Sequence, residues 1–243
     1  MLILLTGTGA AHPLGAAAAQ TLAEAGHAVR ATDSVVQPQG SASAEYHQGD
    51  LTDPTFVALL LAGVEAIVHL APLSLVDTMP ADAPGEILDA ASRGTHVLLK
   101  AAVEGAAGTG SPPVVVQGST LAIMDAYPDD LEVDEQWRPR PQPIAAHLAP
   151  YLAELTAREF TRDVQLATPL RIICLRFAPL GAGQNDLSPG DASQAIVRAL
   201  SALQEGGRGH RWHLYHIATP TPEARYTSAA AQRALGYASA RPQ

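Results

Sequence analysis

Lysine is almost missing from this chain: of its 15 basic residues only Lys100 is a lysine, and the rest are arginines. Any chemistry that needs an ammonium group therefore has one candidate. Cysteine is just as scarce. Cys174 is the only one, so no intrachain disulfide can form, and its place in the apolar run Leu170–Phe177 reads as an inert buried thiol. Positive charge is outweighed, with a formal net charge of −9, which argues against a nucleic-acid or anionic-membrane partner that would demand a basic face. No apolar run reaches the length of a membrane span, and the opening Met-Leu-Ile-Leu-Leu-Thr has no basic leader, so a cytoplasmic protein is expected. No Cys/His cluster has metal-ligand spacing; His210, His213 and His216 lie close, but strand alternation would divide them between two faces.

What is present is aliphatic. Across 243 residues 47% are hydrophobic, enough for a full α/β core despite only 16% charged residues. Short apolar runs alternate with longer amphipathic or alanine-rich stretches. The runs at Leu2–Thr6, Ala28–Thr32, Ala66–Leu70, Val114–Gln117, Leu170–Phe177 and Trp212–Ile217 are expected to be strands. The stretches at Leu14–Ala25, Pro54–Ala62, Gly85–Glu104, His147–Val164, Ala192–Gln204 and Thr221–Leu235 are expected to be helices. This alternation predicts a doubly wound parallel sheet with helices on both faces. Pro72–Pro84 and Tyr127–Pro143 break the pattern and read as loops, either lids over a ligand or plain surface insertions.

The first strand runs into Thr6-Gly-Thr-Gly-Ala-Ala-His-Pro-Leu-Gly15 and then a helix. Glycines between a strand and a helix let backbone approach a pyrophosphate, and the helix N-terminus offers N–H groups to it. Asp33 closes the second strand, 18 residues after Gly15. A carboxylate there accepts hydrogen bonds from ribose hydroxyls and repels a 2′-phosphate, which favours NAD over NADP; as a bland alternative it is a turn residue.

These motifs resemble the extended short-chain dehydrogenase/reductase family, the NAD-dependent epimerase/dehydratase group, and the likeness covers nearly the whole chain. It is carried by Leu5-Thr6-Gly7 with Gly15 and Asp33, Gly49-Asp50-Leu51-Thr52-Asp53, and Val68-His69-Leu70-Ala71. Gly94-Thr95, Val114–Thr120, Pro150-Tyr151, Leu175-Arg176-Phe177 and Leu235-Gly236-Tyr237 follow in the family's order. The resemblance implies a single Rossmann-type α/β domain, with residues 1–176 binding the dinucleotide and 177–243 forming a small substrate-binding portion. It implies NAD contacts at Gly7, Gly9, His12, Leu14, Gly15, Asp33, Asp50, Leu51, Leu70, Ala71 and Tyr151, and a homodimer through Gly85–Glu104 and His147–Val164.

Two departures stand out. The glycine loop is irregular: counted back from Gly15 the family's middle glycine falls on His12, and counted forward from Gly7 the loop is two residues longer. A Cβ or extra length then sits where backbone should meet pyrophosphate; His12 is a candidate phosphate contact, and weakened affinity is expected. In the family's catalytic site a tyrosine exchanges a proton with substrate, a Ser or Thr orients the substrate oxygen, and a lysine one helical turn on binds the nicotinamide ribose. Tyr151, Thr120 and its neighbour Ser119 match, but the lysine position is Leu155. A tyrosine of ordinary pKa ionises in roughly one molecule per thousand at pH 7, a deficit of about 4 kcal/mol that a lysine normally reduces. Arg158, seven residues on, is a distant and broader cation. Three readings follow: an oxidoreductase or epimerase/dehydratase-like enzyme of altered chemistry on a small sugar or carbonyl compound, a silent NAD-binding sensor or scaffold, or a relative with an unrelated substrate and weak cofactor use.

Overall fold

The structure is a computed structural model that describes the chain apart from residues 10–11, 38–44, 79–82, 110, 164–168, 182, 184–185, 207–210, 222–223 and 241–243. Seven strands form one all-parallel sheet: β1 (Leu2–Thr6), β2 (Ala28–Asp33), β3 (Glu45–Gln48), β4 (Ala66–His69), β5 (Val114–Thr120), β6 (Ile172–Phe177) and β7 (Trp212–Ile217). Their order is β3-β2-β1-β4-β5-β6-β7, so the winding reverses between β1 and β4. In such sheets the crevice outside the strand C-termini at that reversal receives the ligand. The helices are α1 (Pro13–Glu24), α2 (Pro54–Leu60), α3 (Ala71–Thr78), α4 (Pro84–Thr109), α5 (Ala145–Arg162), α6 (Pro189–Glu205) and α7 (Ala229–Leu235).

Alternation along the strands builds two cores. Ile3, Leu5, Val68, Val116, Ile173 and Leu175 pack on one face beneath α1, α6 and α7. Leu4, Ile67, Val115 and Ile172 point the other way, onto Leu98 and Leu99 of α4 and Ala157 of α5. Leu187, Leu235 and Tyr237 belong to the first of these cores, so residues near the end of the chain share one interior with Ile3, Leu5 and Leu14. His213 and His216 fall on opposite faces of β7, as alternation requires; His210 lies outside the described residues.

Three elements differ from the expectation. The polar segment Glu45–Gln48 is a strand, since an edge strand needs only one neighbour and no buried face; Arg30 Nε holds Glu45 Oε1 at 2.7 Å across β2 and β3. The expected loop at Pro72–Pro84 begins as α3, because Leu75 finds a buried seat against Ile87, Ala91 and Ala149 of α4 and α5. The last helix starts only at Ala229; before it, Tyr226 bridges Val133 in the Tyr127–Pro143 loop.

Candidate active site

The glycine turn is shaped by close approach. Gly7, directly after β1, sits at φ +80, donates its N–H to Thr32 O at 3.0 Å, and has no room for a side chain: a Cβ would stand 2.6 Å from Ala71 N. Gly15, in the first turn of α1, lies under it, where a Cβ would come within 2.4 Å of Gly7 O. Helix α1 thus presses its N-terminus against the turn, the arrangement that brings backbone to a pyrophosphate. His12 is the N-cap residue of α1, extended at φ −104, and Pro13 contributes no N–H. Leu14 is fully buried, so it supports the turn from within.

The C-terminal ends of β1 and β4 are locked together by a buried histidine. Thr95 Oγ1 donates to Ala91 O at 2.6 Å, so it accepts from His69 Nε2 at 2.9 Å. His69 Nδ1 is then the acceptor for Thr6 Oγ1 at 2.8 Å, while Thr6 Oγ1 itself accepts from Leu70 N and Ala71 N, both at 3.2 Å. One neutral tautomer satisfies every group, and burial pushes the ring down to a pKa of about 3. Leu70 and Ala71 are thereby fixed beside Gly7.

Asp33 is only 8% exposed at the end of β2. Its Oδ2 accepts from Gly9 N at 2.8 Å and its Oδ1 from Ser34 N at 2.7 Å, tying the glycine loop to the turn after β2. Tyr46 lies close by; burial, then the charge of Asp33, pushes its phenol up to about 12, so it stays a donor to Val35 O at 2.5 Å. Asp33, Gly49, Asp50, Leu51, Ala71 and Pro72 line a cavity of about 360 Å³. Asp50 keeps both oxygens on its own turn, accepting from Thr52 N at 2.8 Å and Thr52 Oγ1 at 2.7 Å.

Thr120 ends β5, three strands along from Asp33, and caps a short 3-10 helix (Leu121–Met124) by accepting from Ala122 N at 3.2 Å. Tyr151 is half-buried on α5, directly after Pro150, and Leu155 is half-buried one turn on. Lys100 sits elsewhere, on α4 near Pro113, Val114 and Arg171, at the edge where β5 and β6 begin, and its Nζ lies 3.8 Å from Glu104. Arg158 points its Nε to Glu159, 3.6 Å away. No lysine reaches Tyr151.

Ser119 is fully buried, and its hydroxyl donates to Glu154 Oε2 at 2.9 Å. Glu154 also receives Arg176 Nη2 on Oε1 at 2.6 Å and Arg176 Nε on Oε2 at 3.0 Å. Burial opposes the charge on Arg176, but the hydrogen bonds and charge of Glu154 more than offset it, and its pKa rises. Sequence reasoning passed over Glu154. The signal was there: an arginine inside the apolar run Leu170–Phe177 must be buried, and a buried guanidinium requires a carboxylate.

The loop after β5 is strapped to the C-terminal portion. Arg225 donates to Asp129 Oδ1 at 2.7 Å and to the carbonyls of Met124, Asp125 and Tyr127. Tyr226 Oη donates to Asp125 at 2.7 Å, and Trp137 meets Tyr127 edge-on at 4.8 Å. Glu135 Oε1 accepts from His216 N at 3.0 Å. Among the described residues no group of three or more His, Cys, Asp and Glu side chains is placed to hold a metal ion, and no helix is long and apolar enough to cross a membrane.

A glycine turn on a helix N-terminus and an acidic residue ending β2, beside the winding reversal of a parallel sheet, define a dinucleotide-binding protein of the Rossmann class. Residues 4–238 match the family described as the NAD dependent epimerase/dehydratase family. The chain belongs to that family, whose cofactor is NAD, and the cradle at Gly7 and Gly15 with the cavity beside Asp33 fits such a dinucleotide. A search of the curated proteins finds no match to the sequence. Solved structures share the fold. A UDP-glucose 4-epimerase superposes with a TM-score of 0.80 at 17% identity, over 99% of this chain and 93% of that one. A glucuronic acid dehydrogenase from Chromohalobacter salexigens does so at 0.77 and 20% identity, over 99% and 84%. A UDP-glucose 4-epimerase from Brucella ovis in complex with NAD gives 0.74 and 16%, over 98% and 93%.

Proposed function

We propose that this protein is an NAD-dependent oxidoreductase or epimerase/dehydratase-like enzyme acting on a small sugar or carbonyl substrate, with a tyrosine site that works without lysine. The observations that support this reading are the Gly7–Gly15 cradle and Asp33 at the strand ends beside the winding reversal, Thr120 at the end of β5, and Tyr151 on the same helix as Glu154, whose carboxylate takes the hydroxyl of Ser119. Gly7, Gly9, His12, Leu14 and Gly15 hold the pyrophosphate, Asp33 the adenosine ribose, and Asp50, Leu51, Leu70 and Ala71 the walls around it. When bound, NAD supplies the hydride acceptor or donor. Thr120 orients the substrate oxygen and Tyr151 gives that oxygen a proton or takes one from it.

Between β6 and α6 the chain folds back on itself, with Gly181 N donating to Leu187 O at 3.1 Å and Leu187 N to Pro179 O at 3.0 Å. A compact sugar acid suits this better than a nucleotide sugar, and the likeness to a glucuronic acid dehydrogenase is in keeping with it. Pairing of α4 and α5 with those of a second copy makes the working unit a homodimer, which light scattering at micromolar concentration reads out.

Leu155 favours a second reading, a catalytically silent NAD-binding sensor or scaffold. Absorbance at 340 nm with hexuronic acids and small aldehydes separates the two. Turnover above background establishes the enzyme. NAD binding by calorimetry with no turnover establishes the silent protein, and absence of NAD binding overturns both.

A further inference from the structure

We infer that Glu154, held by Arg176, is the positioning residue that sets Tyr151 against Thr120, an inference that rests on the proposed catalytic roles of those two residues. Glu154 stands three residues after Tyr151, so the two project from the same turn of α5. Its carboxylate is 5% exposed and reaches the sheet, where it takes the hydroxyl of Ser119, the residue directly before Thr120. Arg176 lies beside Ser119 in register on β6 and is 2% exposed. Its Nη1 meets Met124 Sδ at 3.7 Å, at the far end of the 3-10 helix that Thr120 caps. The pair therefore grips the chain on both sides of Thr120 while standing one helical turn from Tyr151.

The bond lengths leave little slack. Glu154 accepts three hydrogen bonds at 2.6, 2.9 and 3.0 Å from two different strands; all three end on a carboxylate and are charge-assisted, the strong kind, and two of them join opposite charges. In the resembling family the residue after this one is the lysine; here it is Leu155, which can orient nothing by hydrogen bonding. The register of α5 on β5 beneath the site is then maintained by Glu154. Displacing reacting groups by about 1 Å can cost on the order of a hundredfold in rate, which makes such a tie a determinant of turnover as well as of folding.

Two conservative variants separate positioning from plain stability. Ser119→Ala removes only the tie to β5 and leaves the buried ion pair closed. Glu154→Asp keeps the charge but draws the carboxylate back by about one C–C bond, roughly 1.5 Å. Each is compared with wild type by ¹³C-tyrosine NMR of the NAD-saturated protein, the Tyr151 signal being assigned with Tyr151→Phe. The expected result is a moved Tyr151 resonance with the other five tyrosines unshifted, NAD affinity within about twofold, and kcat lowered roughly 10- to 100-fold. Ser119→Thr, which keeps the hydroxyl, restores the wild-type signal. A Tyr151 resonance unmoved in Ser119→Ala overturns the inference, as does a loss shared equally between kcat and NAD binding. If wild type has no turnover the enzyme reading fails, and the resonance still decides this one. Should Glu154→Asp not fold, Ser119→Ala decides alone.

Discussion

The two sides of the winding reversal offer different kinds of site. On the β1–β4 side the candidate groups are mostly backbone, brought together because Gly7 packs so closely on Ala71, and Gly15 on Gly7, that neither has room for a side chain. On the β5–β7 side the groups are side chains from separate elements: Thr120 from a strand end, Tyr151 from α5, and beneath them a buried Ser119–Glu154–Arg176 network. The first depends on a turn whose geometry is local. The second depends on how a helix sits on two strands. In sequence the first departs from the resembling family's pattern by an irregular glycine loop and the second by Leu155 where that pattern has a lysine, while the closed ion pair of Glu154 lies one turn on from Tyr151. A turn tolerates insertion so long as its two ends meet, while a proton-transfer site tolerates little displacement.

The sharpest test of this contrast is Tyr151→Phe. Losing a positioned proton donor should lower turnover by about 10²–10⁴ and leave NAD affinity unchanged, as steady-state kinetics and calorimetry will show. Activity that survives reassigns the proton donor and removes the catalytic half of the comparison.

Acid stability weighs the halves against each other, since each holds one buried neutral histidine. His69 is depressed to about 3 by burial, and His216 to about 3 by burial and by the charge of Arg176. An unfolded histidine titrates near 6.5. Below that pH the unfolded chain takes up protons that the folded one refuses, so this stability is complete above about pH 6.5 and is lost as pH falls toward 3. The loss between pH 6.5 and 5.5 should be about 1 kcal/mol for each ring, measured by urea unfolding. His216→Phe should remove one ring's share of the slope; an unchanged slope would mean His216 is charged in the fold.

Asp33→Ala probes the cofactor half at smaller cost. NAD should bind at least tenfold more tightly than NADP, about 1.4 kcal/mol, and the variant should narrow that gap. Equal affinities in wild type would remove Asp33 as the discriminator. The smallest effect is a gain. Leu155→Lys places a cation one turn from Tyr151 and should tighten NAD binding a few-fold, about 0.5–1 kcal/mol. It should also shift the pH–rate profile toward lower pH, and Tyr151→Phe in that background should erase the rate gain. A folded lysine variant in which neither binding nor rate moves would show that Leu155 does not face the ribose.

Much of this protein is written in local pattern. The apolar runs of β1 and β4 were legible to within a residue, because strands buried on both faces read as nearly unbroken aliphatic segments. The family, the glycine turn and Asp33 were legible because tight turns and strand ends use few residue types. The polar edge strand β3 and helix α3 were not, since neither carries its own periodic signal and each is stabilised by a neighbour: Arg30 for one, the α4–α5 cluster for the other. Glu154 belongs with them. Arg176 inside an apolar run calls for a buried carboxylate but does not say which one, and Ser119 and Arg176 lie 35 and 22 residues from Glu154. Hydrogen bonds within a turn follow from residue type; those between α5, β5 and β6 exist only once packing has placed three separate elements within about 3 Å of one another.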